Sequence, residues 1–151
     1  AAIAFTPPYV QLDATYLVRN DSPIQRVADA DREGAKIATG RTSAYTLVMR
    51  RELKRAELVF PSEDEAVTGL QSGTIAALAG VRFGLLAIAA KTPGTRVLAD
   101  NITRAQQAIA LPKANSAALD YVTSFLDDVK KSGFVAEAIK RTGLAGATVP
   151  R

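Results

Sequence analysis

Apolar residues fall in short runs that alternate with stretches of helical spacing along the whole chain. Residues 1–5 are apolar and stop at Thr6-Pro7-Pro8-Tyr9, because proline lacks a donor and restricts its predecessor. Residues 15–18 read as a strand closed by Arg19-Asn20-Asp21-Ser22-Pro23. A helical turn at 27–31 leads to Gly34, and a strand follows at 36–39. Gly40-Arg41-Thr42-Ser43 then opens a helix predicted to run to Lys54, with Leu47 and Val48 facing inward. Residues 58–60 form a short strand stopped by Pro61.

Ser62-Glu63-Asp64-Glu65 is a capping box, in which the serine accepts from the Glu65 amide and Glu65 reaches back. Its helix carries Ala66, Val67 and Leu70 to a stop near Gly73. A buried strand is expected at 75–79, a helix at 82–90, and strands at 96–98 and 107–111. Ser116 is expected to cap a helix whose Leu119, Val122, Phe125, Leu126 and Val129 share one face at a 3.6-residue period. A last helix at 134–141 precedes an apolar tail. Leu47, Leu70, Leu78, Val122, Phe125 and Leu126 are the expected core positions.

Strands alternating with helices predict an α/β fold, with a mostly parallel sheet flanked by helices. Breaks at 19–23 and 99–105 bracket a compact middle unit that two crossing segments enter and leave. The expected organisation is therefore 1–22, 23–104 and 105–151.

Composition narrows the chemistry. The 151 residues suffice for one ordinary domain, and 48% hydrophobic with 23% charged residues is a globular balance. Cysteine and histidine are both absent, which removes thiol nucleophiles, imidazole bases and the usual zinc ligand sets. Ser43 and Ser72 thus have no histidine partner, so no enzyme activity is expected and no cofactor is implied. The net charge of +4 is modest, and Arg50, Arg51, Lys54 and Arg55 read as a solvated helix end. No recognition-helix or zinc-finger pattern accompanies them, so nucleic acid is not an expected partner. No apolar run approaches the ~18 residues of a membrane span.

Several short motifs stand in order: Phe5-Thr6-Pro7-Pro8-Tyr9, Tyr16-Leu17-Val18-Arg19, Asp31-Arg32-Glu33-Gly34-Ala35-Lys36 and Gly40-Arg41-Thr42-Ser43. Gly69-Leu70-Gln71-Ser72-Gly73-Thr74-Ile75-Ala76-Ala77 and Ala108-Ile109-Ala110-Leu111-Pro112-Lys113 complete the series. In this order they resemble the second half of the periplasmic receptors that serve polar amino-acid ABC transporters. The resemblance implies the second lobe of a bilobed type II fold, with crossing segments and C-terminal helices, and with most of the first lobe missing. It also implies a periplasmic location, although no signal peptide precedes Ala1. A small-molecule solute and an ABC permease are the implied partners.

One departure bears on the ligand. Receptors for α-amino acids of this kind carry an aspartate just after the strand represented here by residues 76–80, where this chain has Val81 between Gly80 and Arg82. The expectation is therefore a small polar or anionic solute, not a standard α-amino acid.

The candidate binding residues are Gly40, Arg41, Thr42, Ser43, Arg82, Tyr9 and Gln106. A helix start leaves amides unpaired and holds an anion without a side-chain base. Thr42 either joins such a site or caps its own helix. Arg82 stands at the ligand-facing edge of the sheet, where a guanidinium clamps an anion or simply faces solvent. Tyr9 and Tyr45 either stack on ligand or pack structurally, and Gln106 and Gln107 mark the chain's return.

The expected function is solute binding for ABC-type import without catalysis. The alternatives are the effector-binding domain of a transcriptional regulator and an enzyme on a related fold. The apolar face of the C-terminal helices needs a cover, and a homodimer through them is the expected one.

Overall fold

The computed structural model describes residues 2–150. In chain order the first elements are β1 (Ile3–Phe5), β2 (Val10–Arg19), a 3₁₀ turn (Val27–Ala30), β3 (Lys36–Ala38) and α1 (Ala44–Glu52). They continue with β4 (Glu57–Val59), α2 (Glu63–Ser72), β5 (Ala77–Val81), α3 (Arg82–Lys91) and β6 (Thr95–Val97). The last are β7 (Thr103–Gln107), β8 (Ala110–Pro112), α4 (Ser116–Lys131), α5 (Phe134–Thr142) and β9 (Ala147–Thr148). The chain divides into two compact units, Asp13–Ala105 and the pair Ala1–Leu12 with Gln106–Arg151.

The unit Asp13–Ala105 is built on strands in the order β4-β3-β5-β2-β6. β3 pairs in parallel with β4 and β5, because α1 and α2 supply the crossovers that parallel neighbours require. β2 runs antiparallel to both β5 and β6. The sheet is therefore mixed rather than mostly parallel. Those same pairings draw residues 13–19 into this unit, although the sequence pattern places them with the first segment.

Successive β2 side chains point to opposite faces. Tyr16 and Val18 join Ile37, Met49, Ala79 and Leu98 on one side. Leu17 joins Ala38, Leu70, Leu78 and Leu85 on the other. Helices cover both faces, which is why residues 14–18 are all buried. The Tyr16 hydroxyl meets the Met49 sulfur at 3.2 Å. Burial, followed by the Asp31 and Glu52 carboxylates, pushes its pKa up.

Leu70 and Leu78 are in the core as expected, but Leu47 is 68% exposed. α1 instead buries Thr46 and Met49, flanked by half-buried Tyr45 and Leu53. The threonine hydroxyl is tied down locally, so it is tolerated where a leucine was expected. α2 opens on its capping box: the Glu65 amide donates to Ser62 Oγ at 3.4 Å, and the Ser62 amide to Glu65 Oε2 at 2.8 Å. Gly73, at φ 80°, closes the helix in a left-handed turn that other residues resist.

In the other unit β1 and β8 form an antiparallel pair, and β9 pairs with Gln11 and Leu12 of β2. The strand expected at 107–111 is divided between β7 and β8. Asn115, not Ser116, caps α4, accepting from the Ala118 amide at 3.3 Å. Leu126 is buried and Val122 half-buried, whereas Phe125 is 54% exposed. The covered stripe follows 119, 122, 126 and 129. Phe125 lies about 100° around the helix from Leu126, beyond its edge.

Candidate functional site

The parallel strands β3, β4 and β5 end on one edge, and a cavity of about 290 Å³ opens there. Thr39 and Gly40 line it after β3, Pro61 to Glu63 after β4, and Gly80 with Val81 at the end of β5. Tyr45 of α1 and Leu85 and Ile88 of α3 close its sides. Ligands of open α/β sheets bind at this carboxyl edge.

Two buried threonines fix the loop before α1. Thr46 Oγ1 donates to the Gly40 carbonyl at 2.7 Å. Its single proton is thereby used, so Thr39 is the donor in the 2.7 Å bond between the two hydroxyls. A Cβ on Gly40 would stand 2.7 Å from Ser43 Oγ, so glycine lets the loop fold this closely on the helix start. Ser43 is the N-cap residue of α1, yet its side chain makes no cap bond. Among the described residues the Arg41 and Thr42 amides donate no hydrogen bond. The turn thus presents free N–H groups and the positive end of α1.

The remaining predicted residues are placed differently. Arg41 lies over the Phe60 ring at 4.4 Å, with Arg50 also over that ring at 5.4 Å. Thr42 is exposed and does not cap α1. Of Gly40 to Ser43, only Gly40 lines the cavity. Arg82 does not line it. Its Nη1 donates to the Leu98 carbonyl at 2.7 Å, and its Nη2 to Ala99 O at 2.9 Å and Asn101 Oδ1 at 2.6 Å. Its Nε stands 3.8 Å from Asp13 Oδ2. Arg82 therefore braces the 98–101 turn, with its guanidinium committed to main-chain carbonyls and Asn101. Tyr9 and Gln106 belong to the other unit, where the Tyr9 amide donates to the Gln107 carbonyl at 3.0 Å.

Thr39, Thr46 and Glu63 were missed from sequence. The sequence pattern turns Leu47 and Val48 inward and so does not mark Thr46, whose burial follows from how α1 docks. In the sequence Glu63 is accounted for by the cap of α2, and in the structure it also lines the cavity.

No family model and no curated protein matches the chain. Solved structures do. A binding component of an ABC transporter from Wolinella succinogenes, complexed with lysine, is 21% identical with a TM-score of 0.77, over 92% of this chain and 62% of that one. The ligand-binding core of GluR0 with L-glutamate is 20% identical with a TM-score of 0.77, over 92% and 63%. An amino-acid ABC transporter substrate-binding protein from Streptococcus pneumoniae, bound to L-arginine, is 19% identical with a TM-score of 0.73, over 92% and 60%. The fold is therefore that of the type II periplasmic-binding-protein class, a mixed α/β sheet flanked by helices matching its second lobe with C-terminal helices. The chain spans about three fifths of the length of these structures.

These structures overturn the expectation that the ligand is not a standard α-amino acid, since they hold lysine, L-glutamate and L-arginine. That expectation rests on Val81 in place of an aspartate, with Arg82 beside it. A carboxylate for an ammonium group need not come from that position, and Glu63, an exposed residue at the start of α2, is among those that line the cavity.

Proposed function

We propose that this chain binds an amino acid, without chemical turnover, as part of a periplasmic receptor that delivers it to an ABC permease. The observation that carries this reading is the cavity at the carboxyl edge of β3, β4 and β5, with the unpaired amides of Arg41 and Thr42 beside Gly40. A helix start of this kind holds an α-carboxylate, and it follows directly on Gly40, which lines the cavity. The shared fold of structures holding amino acids supports the same class of ligand.

Isothermal titration calorimetry against the standard amino acids tests this. Saturable heat with at least one of them, and no product formed on prolonged incubation, is expected. Silence across the panel at millimolar concentrations contradicts it.

Pairing of two copies through α4 and α5 belongs to the same proposal, because Tyr121, Phe125 and Phe134 are exposed on these helices. Light scattering should show mass rising with concentration. A constant monomer mass removes this part alone.

A further inference from the structure

We infer that the amino acid this cavity selects has an apolar side chain, and that Glu63 receives its ammonium group. The inference rests on the amino-acid reading above and narrows it. Three observations carry it.

Much of the wall is hydrocarbon, with Thr39, Tyr45 and Ser62 as its neutral polar residues. Leu78 and Val81 of β5, Leu85 and Ile88 of α3 and Ala66 of α2 face the cavity. Glu63 is the only charged residue in its lining among the described residues. With Glu63 taken by the ligand's ammonium, a side-chain carboxylate or guanidinium placed against these walls would surrender its hydration without a partner, whereas an aliphatic side chain gains from the same burial.

Glu63 is also uncommitted. Ser62 and Glu65 hold each other in the capping box, and the neighbouring Glu63 makes no hydrogen bond or ion pair among the described residues. The two polar groups of the ligand then find different partners. Its carboxylate lies at Gly40, the one residue of the loop before α1 that lines the cavity, and its ammonium takes Glu63 at the start of α2. The side chain is left to the wall made by β5 and α3.

Size agrees with the assignment. A volume of about 290 Å³ suits a compact ligand, and it stands at the lower limit of small-molecule sites.

The test compares leucine, isoleucine, valine and phenylalanine with lysine, arginine, aspartate and glutamate, and includes 4-methylpentanoate, which is leucine without its amine. At least one apolar amino acid should bind about tenfold or more tighter than every charged one. Glu63→Gln should weaken that amino acid about fivefold while leaving 4-methylpentanoate unchanged. A charged amino acid binding as tightly as the apolar ones overturns the inference and leaves the amino-acid reading standing. Equal affinity of Glu63→Gln and the parent for the best ligand overturns the role of Glu63. Absence of binding by every amino acid overturns both the inference and the reading beneath it.

Discussion

Arg82 Nη1 donates to the main-chain carbonyl of Leu98 at 2.7 Å, tying the first residue of α3 to the turn that follows β6. Leu98 is buried at 1% exposure and the Arg82 side chain is 17% exposed, so this bond is shielded from water. Removing the guanidinium leaves the Leu98 carbonyl without that donor.

Arg82→Ala should therefore lower stability by about 2 kcal/mol, read as an earlier midpoint in urea unfolding. Arg82→Lys should recover little, because a single ammonium cannot span Leu98, Ala99 and Asn101 together. An unchanged midpoint for Arg82→Ala would show that the brace contributes nothing.

Acid should weaken the fold through Asp31 and Glu65. Asp31 accepts from the Arg55 and Ala56 amides at 2.8 and 2.9 Å and from that of Lys54 at 3.1 Å. Those amides, Ala56 first, hold its carboxyl below the ordinary 3.8. The Ser62 amide and then its hydroxyl hold Glu65 below the ordinary 4.5. Both folded values lie under the unfolded ones, so the stability they supply is fully present above the ordinary values. It is lost as pH falls through the lowered ones. Asp31→Asn should be less stable than the parent at pH 7, with the gap closing in acid. A gap that stays constant with pH would contradict this linkage.

Gly80 sits at the end of β5, where an added Cβ would meet Leu85 Cδ2 at 2.8 Å and Cγ at 3.1 Å. Gly80→Ala should cost about 1–2 kcal/mol through overpacking and reduce ligand affinity by pushing Leu85 into the cavity. Thermal unfolding with and without ligand separates the two effects. Parent-like values in both would show that Leu85 has room to move.

Much of the frame could be read in the sequence, because local chemistry determines it. Ser62 and Glu65 announce a helix start by themselves, and Gly73 its end. The burial of Leu70 and Leu78 follows from periodicity within their own elements. What could not be read depends on partners distant in sequence. Leu47 looked apolar enough to be core, but the Thr39–Thr46 hydrogen bond turns the other side of α1 inward. Arg82 looked free because its acceptors at 98–101 come into place only once β6 folds back beside β2. Phe125 and Leu126 are adjacent, and sequence alone does not say which points inward.

The central claim is that an amino acid binds at the carboxyl edge of β3, β4 and β5. Backbone amide NMR titration with the best ligand from the calorimetric panel tests it most directly. Saturable shifts gathered on Thr39, Arg41, Thr42, Ser43, Glu63, Gly80 and Val81 are the predicted result. Saturable shifts elsewhere, with these amides unmoved, would contradict it.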